Sequence, residues 1–327
     1  MVSLVVCGAI NWDVCCFVEH LPTPGEEVQI KHITRVSGGT GGNVAVAAAR
    51  LLGTKEVALI SALGEDDIAQ QQVTALNAEG VITEGISHIP GEESGQAYIL
   101  VDQKGQNVIA SHLGANAELQ PEHLNKPSVK RLLQNCQGIV LTDPPLNIVT
   151  ELINLAKRRK IPVLWDPGIL VSQGWKILQS LAKQADTLFL NEAEATALFG
   201  TAKIDISLQH LQELEFSNHT VLKLGAQGAA LLEPTTGMVM EIPALPLKDL
   251  SLDVINTVGC GDVFVGAFAA YHVLGASFQK SLIMATAAAS LNATRTETRG
   301  GPERASLEEV VQRSHNLGFA VREHKFS

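Results

Sequence analysis

The sequence has no surplus of basic residues to offer a polyanion. Its 24 Lys and Arg are outnumbered by 34 Asp and Glu, for a formal charge of −10. Without a basic face there is no long-range attraction for nucleic acid or for an anionic membrane surface. The longest basic run, KRR at 157–159 followed by Lys160, closes an expected helix, where cations complement the dipole. Paired cysteines are missing as well. The five present (7, 15, 16, 136 and 260) are an odd number with no CxxC spacing, which fits neither a disulfide framework nor a zinc site and points to a reducing cytoplasm. No stretch reaches the roughly 18 apolar residues of a membrane span, and residues 1–10 carry no basic n-region, so no membrane association or export is expected. The Walker pattern GxxxxGK[ST] is absent, and no GxGxxG follows a strand.

What is present reads as an ordinary globular chain. Its 327 residues, 46% of them hydrophobic, suffice for a substantial core. Short runs rich in Val, Ile and Leu (SLVVCGAI, EVALIS, GIVLT, IPVLWD, DTLFL, TVLKLG) alternate with helical stretches such as NVAVAAARLLG and LNIVTELINLAKRRK. That alternation predicts an α/β fold, a mostly parallel sheet with helices on both faces, and ligands at the carboxyl ends of the strands. Two segments break the rhythm: EEVQIKHITRV (26–36) alternates partly at period two, and GQAYILVDQKGQNVIAS (95–111) looks like a hairpin turning near DQKG. They predict a small β sheet, a lid over the site or a pairing surface. The expected division is a body of 1–16, 37–94 and 112–327 with a lid of 17–36 and 95–111. Exposed apolar strand faces favour a covering partner, so a homodimer through the lid is expected.

The chemistry concentrates at two glycine clusters. In NTVGCGD (256–262) two glycines and a carboxylate precede a very apolar helix, and a helix start with free amides attracts anions. Two roles are open for Asp262. It could take the proton of a hydroxyl attacking a γ-phosphoryl group, or simply cap the helix. The second cluster, SGGTGGNVAVAAARLLG (37–53), leads into an Ala-rich helix with Asn43 where an N-cap or ligand contact is expected. In GAINWD (8–13), Asn11 and Asp13 share one face, and a carboxamide beside a carboxylate suits vicinal hydroxyls.

Taken in order, GAINWD, SGGTGGN, NEAE, KLGAQG and NTVGCGDVFVGAF resemble the ribokinase-like (PfkB) family of carbohydrate and nucleoside kinases, over residues 3 to about 315. GANAEL (114–119) is similar to the ribokinase branch. The resemblance implies a Rossmann-like three-layer α/β body with a small β lid, and transfer of phosphoryl from ATP, with Mg²⁺, to a hydroxymethyl group. It implies Asp262 as the base, ionised and weak beside the helix terminus, and the amides of Gly259, Cys260 and Gly261 as the anion hole. Asn11, Asp13, Gly39 and Asn43 match sugar contacts, and Asp143 in LTDPPL falls at an acidic substrate contact, though an Asx turn is the alternative. Asn191 and Glu194 match the NxxE element that organises Mg²⁺-bound water, with a capping box as the alternative. Lys223, Gly225 and Gly228 lie in a stretch similar to the strand and turn beside the nucleotide, Lys223 being a phosphate contact or a solvated residue.

Three positions depart from the family pattern. Asn256 stands where many relatives have Asp, which argues against a monovalent-cation site. Thr40 replaces a lysine common in ribokinases, and WDPG (165–168) lacks the DPN form of many sugar kinases. The expected protein is a cytoplasmic, ATP- and Mg²⁺-dependent kinase of a small ribose-like sugar, with a nucleoside kinase or a non-catalytic sugar or nucleotide sensor as alternatives.

Overall fold

The computed structural model describes residues 2–297, 299 and 301–326. In chain order the strands are β1 (Leu4–Gly8), β2 (Asn11–Phe17), β3 (His32–Gly38), β4 (Val57–Leu63), β5 (Ile82–His88), β6 (Gln96–Val101) and β7 (Asn107–His112). They continue as β8 (Gly138–Thr142), β9 (Val163–Asp166), β10 (Thr187–Asn191), β11 (His219–Lys223), β12 (Ala229–Glu233), β13 (Met238–Ile242) and β14 (Arg322–Lys325).

Every residue of β1 is buried, the pattern of a parallel strand covered on both faces. Its alternate side chains enter two cores: Leu4 and Val6 on one side, Val5 and Cys7 on the other. The expected α/β class with a mostly parallel sheet is what is found. Among the described residues one sheet runs β14-β13-β12-β11-β10-β9-β8-β1-β4-β5. It is parallel from β11 to β5 and antiparallel beyond. The register pairs Gly8 with Thr142, Thr142 with Asp166, and Asn191 with Lys223. Asp143, Asp166, Asn191 and Lys223, far apart in sequence, therefore meet at the sheet's carboxyl edge.

The second sheet, β3-β2-β6-β7, is the lid. The hairpin β6–β7 turns where expected, with the Asp102 carboxylate accepting from the amides of Lys104 (2.8 Å) and Gln106 (2.9 Å). The lid begins earlier than the expected boundary at residue 17, because β2 pairs with β3 from Asn11 onward. Asn11 and Asp13 thus stand on a lid strand, which starts three residues after the end of β1, and not on the end of a body strand. Conversely, β3 starts at His32, six residues later than the period-two pattern implies.

Two helices carry the glycine clusters. The Ala-rich helix Thr40–Leu52 is capped by Gly39 at φ 84°, so Asn43 lies within its first turn and not at the expected cap. A side chain at Gly39 would run into the backbone of Ile10 and Asn11, which is why a positive-φ residue without Cβ is needed there. Helix Cys260–Val273 is buried from residue 263 to residue 271, the all-round apolar pattern of a core helix. Its Gly266 sits against the carbonyl of Val44 and the methyl of Ala47, and Phe268 meets Phe189 edge-on at 5.1 Å. Each such buried Phe stabilises by about 1.5–3 kcal/mol, so core packing anchors this helix and aims its N-terminus at the strand ends.

Candidate active site

Gly259 caps helix Cys260–Val273 in the left-handed region, φ 77°, and no side chain caps the first turn. Cys260 N–H donates to Thr257 O at 3.3 Å and Val263 N–H to Gly259 O at 2.9 Å. Among the described hydrogen bonds the amides of Gly259, Gly261 and Asp262 have no acceptor, which leaves three donors at the positive end of the helix. Cys260, expected in the anion hole, spends its amide on the preceding turn.

Asp262 does not cap the helix. Its Oδ2 accepts from Asn43 Nδ2 at 2.8 Å, across from the other glycine cluster. The helix terminus does not keep this carboxylate the weak base expected of it. Burial of the carboxyl, with the Asp166 charge added, outweighs the Asn43 hydrogen bond and pushes Asp262 up to about 7. The residue as a whole is half-buried while its carboxyl is enclosed.

Lys223, at the end of β11, is no solvated strand residue. It is ion-paired with Asp166 at the end of β9, the two side chains 12% and 9% exposed. Burial pulls Lys223 down, but the charges of Asp166 and Glu194 pull it up further, so it stays cationic. A Cβ built on Gly261 would lie 3.8 Å from its Nζ, which places the ammonium against the open first turn.

The NxxE element forms a full capping box. Asn191 Oδ1 accepts from Glu194 N–H and Glu194 Oε2 from Asn191 N–H, both at 2.8 Å. Burial, then the Asp166 charge, pushes Glu194 up to about 7. Asp143 has φ 55° and is pinned on both oxygens, by Ile169 N–H (2.9 Å) and Thr40 Oγ1 (3.0 Å), so it makes no Asx turn with its own neighbours. Burial raises it to about 6, and likewise Asp13, where Arg299 opposes the shift. Gly225 and Gly228 bound the one-turn 3-10 helix that follows β11, at φ 53° and 101°.

Three contributors escaped sequence reasoning. Asp166 sits in the WDPG stretch, noted there only as a departure, and its pairing follows from strand order. Asn116, inside GANAEL, is buried and ties Asn11 down: its Nδ2 donates to Asn11 Oδ1 at 3.1 Å and to Ile10 O at 2.9 Å, while its Oδ1 accepts from Ile10 N–H. Arg299 belongs to no motif. A cavity of about 330 Å³ lies between the lid face of Cys15, Phe17, Val36 and Ile99 and the loop 254–258 that leads into Gly259.

Mg²⁺ prefers about six oxygen ligands and keeps several waters. Among the described residues no three His, Cys, Asp or Glu side chains are grouped to hold a metal directly. The carboxylate surplus around Lys223 and Arg299, formed by Asp13, Asp143, Asp166, Glu194 and Asp262, fits an ion held mainly through water and phosphate.

An α/β body with a β lid, bringing a carboxylate, open helix-terminal amides and a buried lysine to the strand ends, defines a phosphotransferase with an alcohol group as acceptor. The chain belongs to the pfkB family of carbohydrate kinases, which it matches over residues 1–320. It is 27% identical over 303 residues to an ATP-dependent ribose-1-phosphate kinase of Halopiger xanaduensis, covering 92% of this chain and 95% of that protein. Its structure is similar to that of Arabidopsis thaliana ribokinase complexed with ribose and ATP, with TM-score 0.84 and 28% identity over 95% of this chain and 99% of that one. The Burkholderia thailandensis nucleoside kinase in complex with inosine shares the fold, with TM-score 0.79 and 20% identity, over 98% of this chain and 100% of that one. No helix among the described residues is long and apolar enough to cross a membrane.

Proposed function

We propose that this protein transfers the γ-phosphoryl group of ATP to a hydroxymethyl group of a ribose-like sugar, in the cytoplasm, with Asp262 as general base. One observation carries the reading: Asp262 Oδ2 is held by Asn43, its Oδ1 has no partner among the described residues, and the amides beside it are unpaired. A proton acceptor and an oxyanion stabiliser are thereby set side by side. With its pKa near 7 rather than 4, the carboxylate is a stronger base than an exposed Asp, matched to a hydroxyl that loses its proton late in a loose transfer.

Asn11, held by Asn116, and Asp13 present a carboxamide and a carboxylate from the lid strand to the acceptor's other hydroxyls. Gly39 and Asn43 supply the floor of that site, and Asp143, pinned to the body, its acidic wall. The free amides of the helix turn and the Lys223 ammonium stabilise negative oxygens at the donor side, where Gly225 and Gly228 shape the turn after β11. ATP with Mg²⁺ supplies the phosphoryl group and neutralises its charge; Asn191 and Glu194 would meet the ion through water. A homodimer through the lid is part of the proposal: Ile33, Tyr98 and Val108 are exposed together on the face of that sheet turned away from the cavity.

The relatives named for ribokinase and ribose-1-phosphate kinase support a ribose-type acceptor. A nucleoside acceptor is the second reading, favoured by the largely apolar wall of the cavity under the lid, which offers a base a face to pack on. A coupled ADP assay over ribose, ribose 1-phosphate, fructose, 2-keto-3-deoxygluconate, adenosine and cytidine decides. Turnover of ribose or its phosphate supports the first reading, and turnover of adenosine or cytidine alone supports the second. Binding of these compounds without ADP release would replace both with a non-catalytic sensor.

A further inference from the structure

Arg299 reaches the site from the far end of the chain and is clamped there by its backbone. Arg50 Nη1 donates to the carbonyls of Arg299 (2.7 Å) and Gly301 (2.8 Å), while its Nε and Nη2 form a fork on Glu79 at 2.9 and 2.7 Å. The largely buried Arg299 side chain then donates from all three nitrogens. Nε bonds Asn43 Oδ1 at 2.9 Å, Nη1 bonds Ser37 Oγ at 2.6 Å, and Nη2 bonds Gly38 O at 2.9 Å. Burial lowers its pKa to about 10 against the support of the Asp13 charge, so it remains a cation at neutral pH.

A guanidinium donates and never accepts. Asn43 must therefore turn its oxygen toward Arg299, and its NH₂ is left for Asp262 Oδ2. A carboxamide on its own is ambiguous end for end, and only such a one-way neighbour fixes it. The same one-way logic runs outward: Ser37 accepts from Arg299 and donates to Gln72 Oε1, and Gln72 Nε2 donates to Asn11 O at 2.6 Å. Every proton in the chain from Asn11 to Asp262 is thereby assigned a direction.

We propose that Arg299 is a positioning residue which, by locking the Asn43 carboxamide, engages one oxygen of Asp262 and leaves the other as the proton acceptor. This rests on the kinase reading above. With Arg299 gone, Asn43 could present its oxygen to Asp262, repelling the carboxylate and turning the base away from the acceptor. Gly42 gives an independent handle, because a methyl there would collide with Arg299 Nη2. Alanine in place of that helical glycine favours the helix, so Gly42→Ala displaces the guanidinium without weakening helix Thr40–Leu52.

The test compares the full-length protein with Arg299→Met, Arg299→Lys, Gly42→Ala, Asn43→Ala and the double variant Arg299→Met/Asn43→Ala. Expected for Arg299→Met is a kcat lower by about 10- to 100-fold with KM for ATP kept within about twofold, the loss belonging to a hydrogen bond on a charged group. Arg299→Lys should not restore the rate, since a point charge cannot make the fork. In the Asn43→Ala background, Arg299→Met should cost less than about threefold more, because the two act as one unit. Losses that multiply fully in the double variant would overturn the proposal. A second readout needs no turnover: the side-chain NH₂ signals of Asn43 in ¹H–¹⁵N spectra, identified by their loss in Asn43→Ala, should shift and exchange faster with water in Arg299→Met and Gly42→Ala. Unchanged signals would overturn the relay even in a protein that phosphorylates none of the acceptors, an outcome that would separately end the kinase reading.

Discussion

Replacing Asp262 by Asn separates chemistry from architecture. In the wild type Asn43 Nδ2 donates to Asp262 Oδ2 at 2.8 Å. The introduced carboxamide can offer its own oxygen to that NH₂, so the link between the two glycine clusters survives and the helix turn keeps its open amides. What is lost is the second lone-pair oxygen, replaced by an NH₂ that donates where the acceptor hydroxyl must give up its proton. General-base catalysis contributes about 10²- to 10⁴-fold, or about 3–5 kcal/mol in the barrier. Asp262→Asn should therefore lower kcat by about that factor in a coupled ADP assay, while nucleotide affinity by calorimetry stays close to wild type. Residual kcat within about threefold of wild type would falsify the assignment of Asp262 as base, leaving the fold untouched.

Other consequences follow from the same geometry. A base pushed up to about 7 works only when deprotonated, so kcat/KM should fall about tenfold per unit below pH 7, and Asp262→Asn should lose that limb. The unfolded-state pKa of an Asp is about 4 and the folded value is higher, so Asp262 binds more protons folded than unfolded between those values and stability declines as pH rises through that window. Asp262→Asn should accordingly raise Tm, by a few degrees and more at pH 8 than at pH 5; a gain that is larger at pH 5 would contradict the burial argument. Lys223→Met leaves Asp166 facing Glu194 and Asp262 without its counter-charge and should cost about 3–5 kcal/mol in urea unfolding, recovered in Lys223→Met/Asp166→Leu; a loss under about 1 kcal/mol would show the pair to be dispensable. Asn256 already donates to Thr296 O and accepts from Val258 N–H, both at 3.0 Å, so exchanging K⁺ for a bulky organic cation should leave the rate almost unchanged, and strong activation by K⁺ would refute that.

Strand and helix alternation is a local property of side chains, which is why the α/β class, the hairpin near DQKG and the helix after GCGD were legible in order along the chain. The glycine clusters were legible for the same reason, since a positive φ or a close backbone approach can be met by few other residues, as at Gly39 and Gly259. Boundaries were less so: β2 carries a sequence that fits the end of a body strand equally well, and only its pairing with β3 and β6 assigns it to the lid.

The tertiary structure alone decided the electrostatics. Whether Asp262 is a depressed or an elevated acid depends on helix field against burial, and burial is set by which elements pack over it. Lys223 and Asp166 are 57 residues apart and neighbours only because strand order places β9 and β11 on either side of β10. Arg299 meets Asn43 across 256 residues. Periodicity and motif spacing report what a residue does to the few beside it in the chain; the charge, donor or acceptor it faces across the cleft is chosen by the packing of the whole chain.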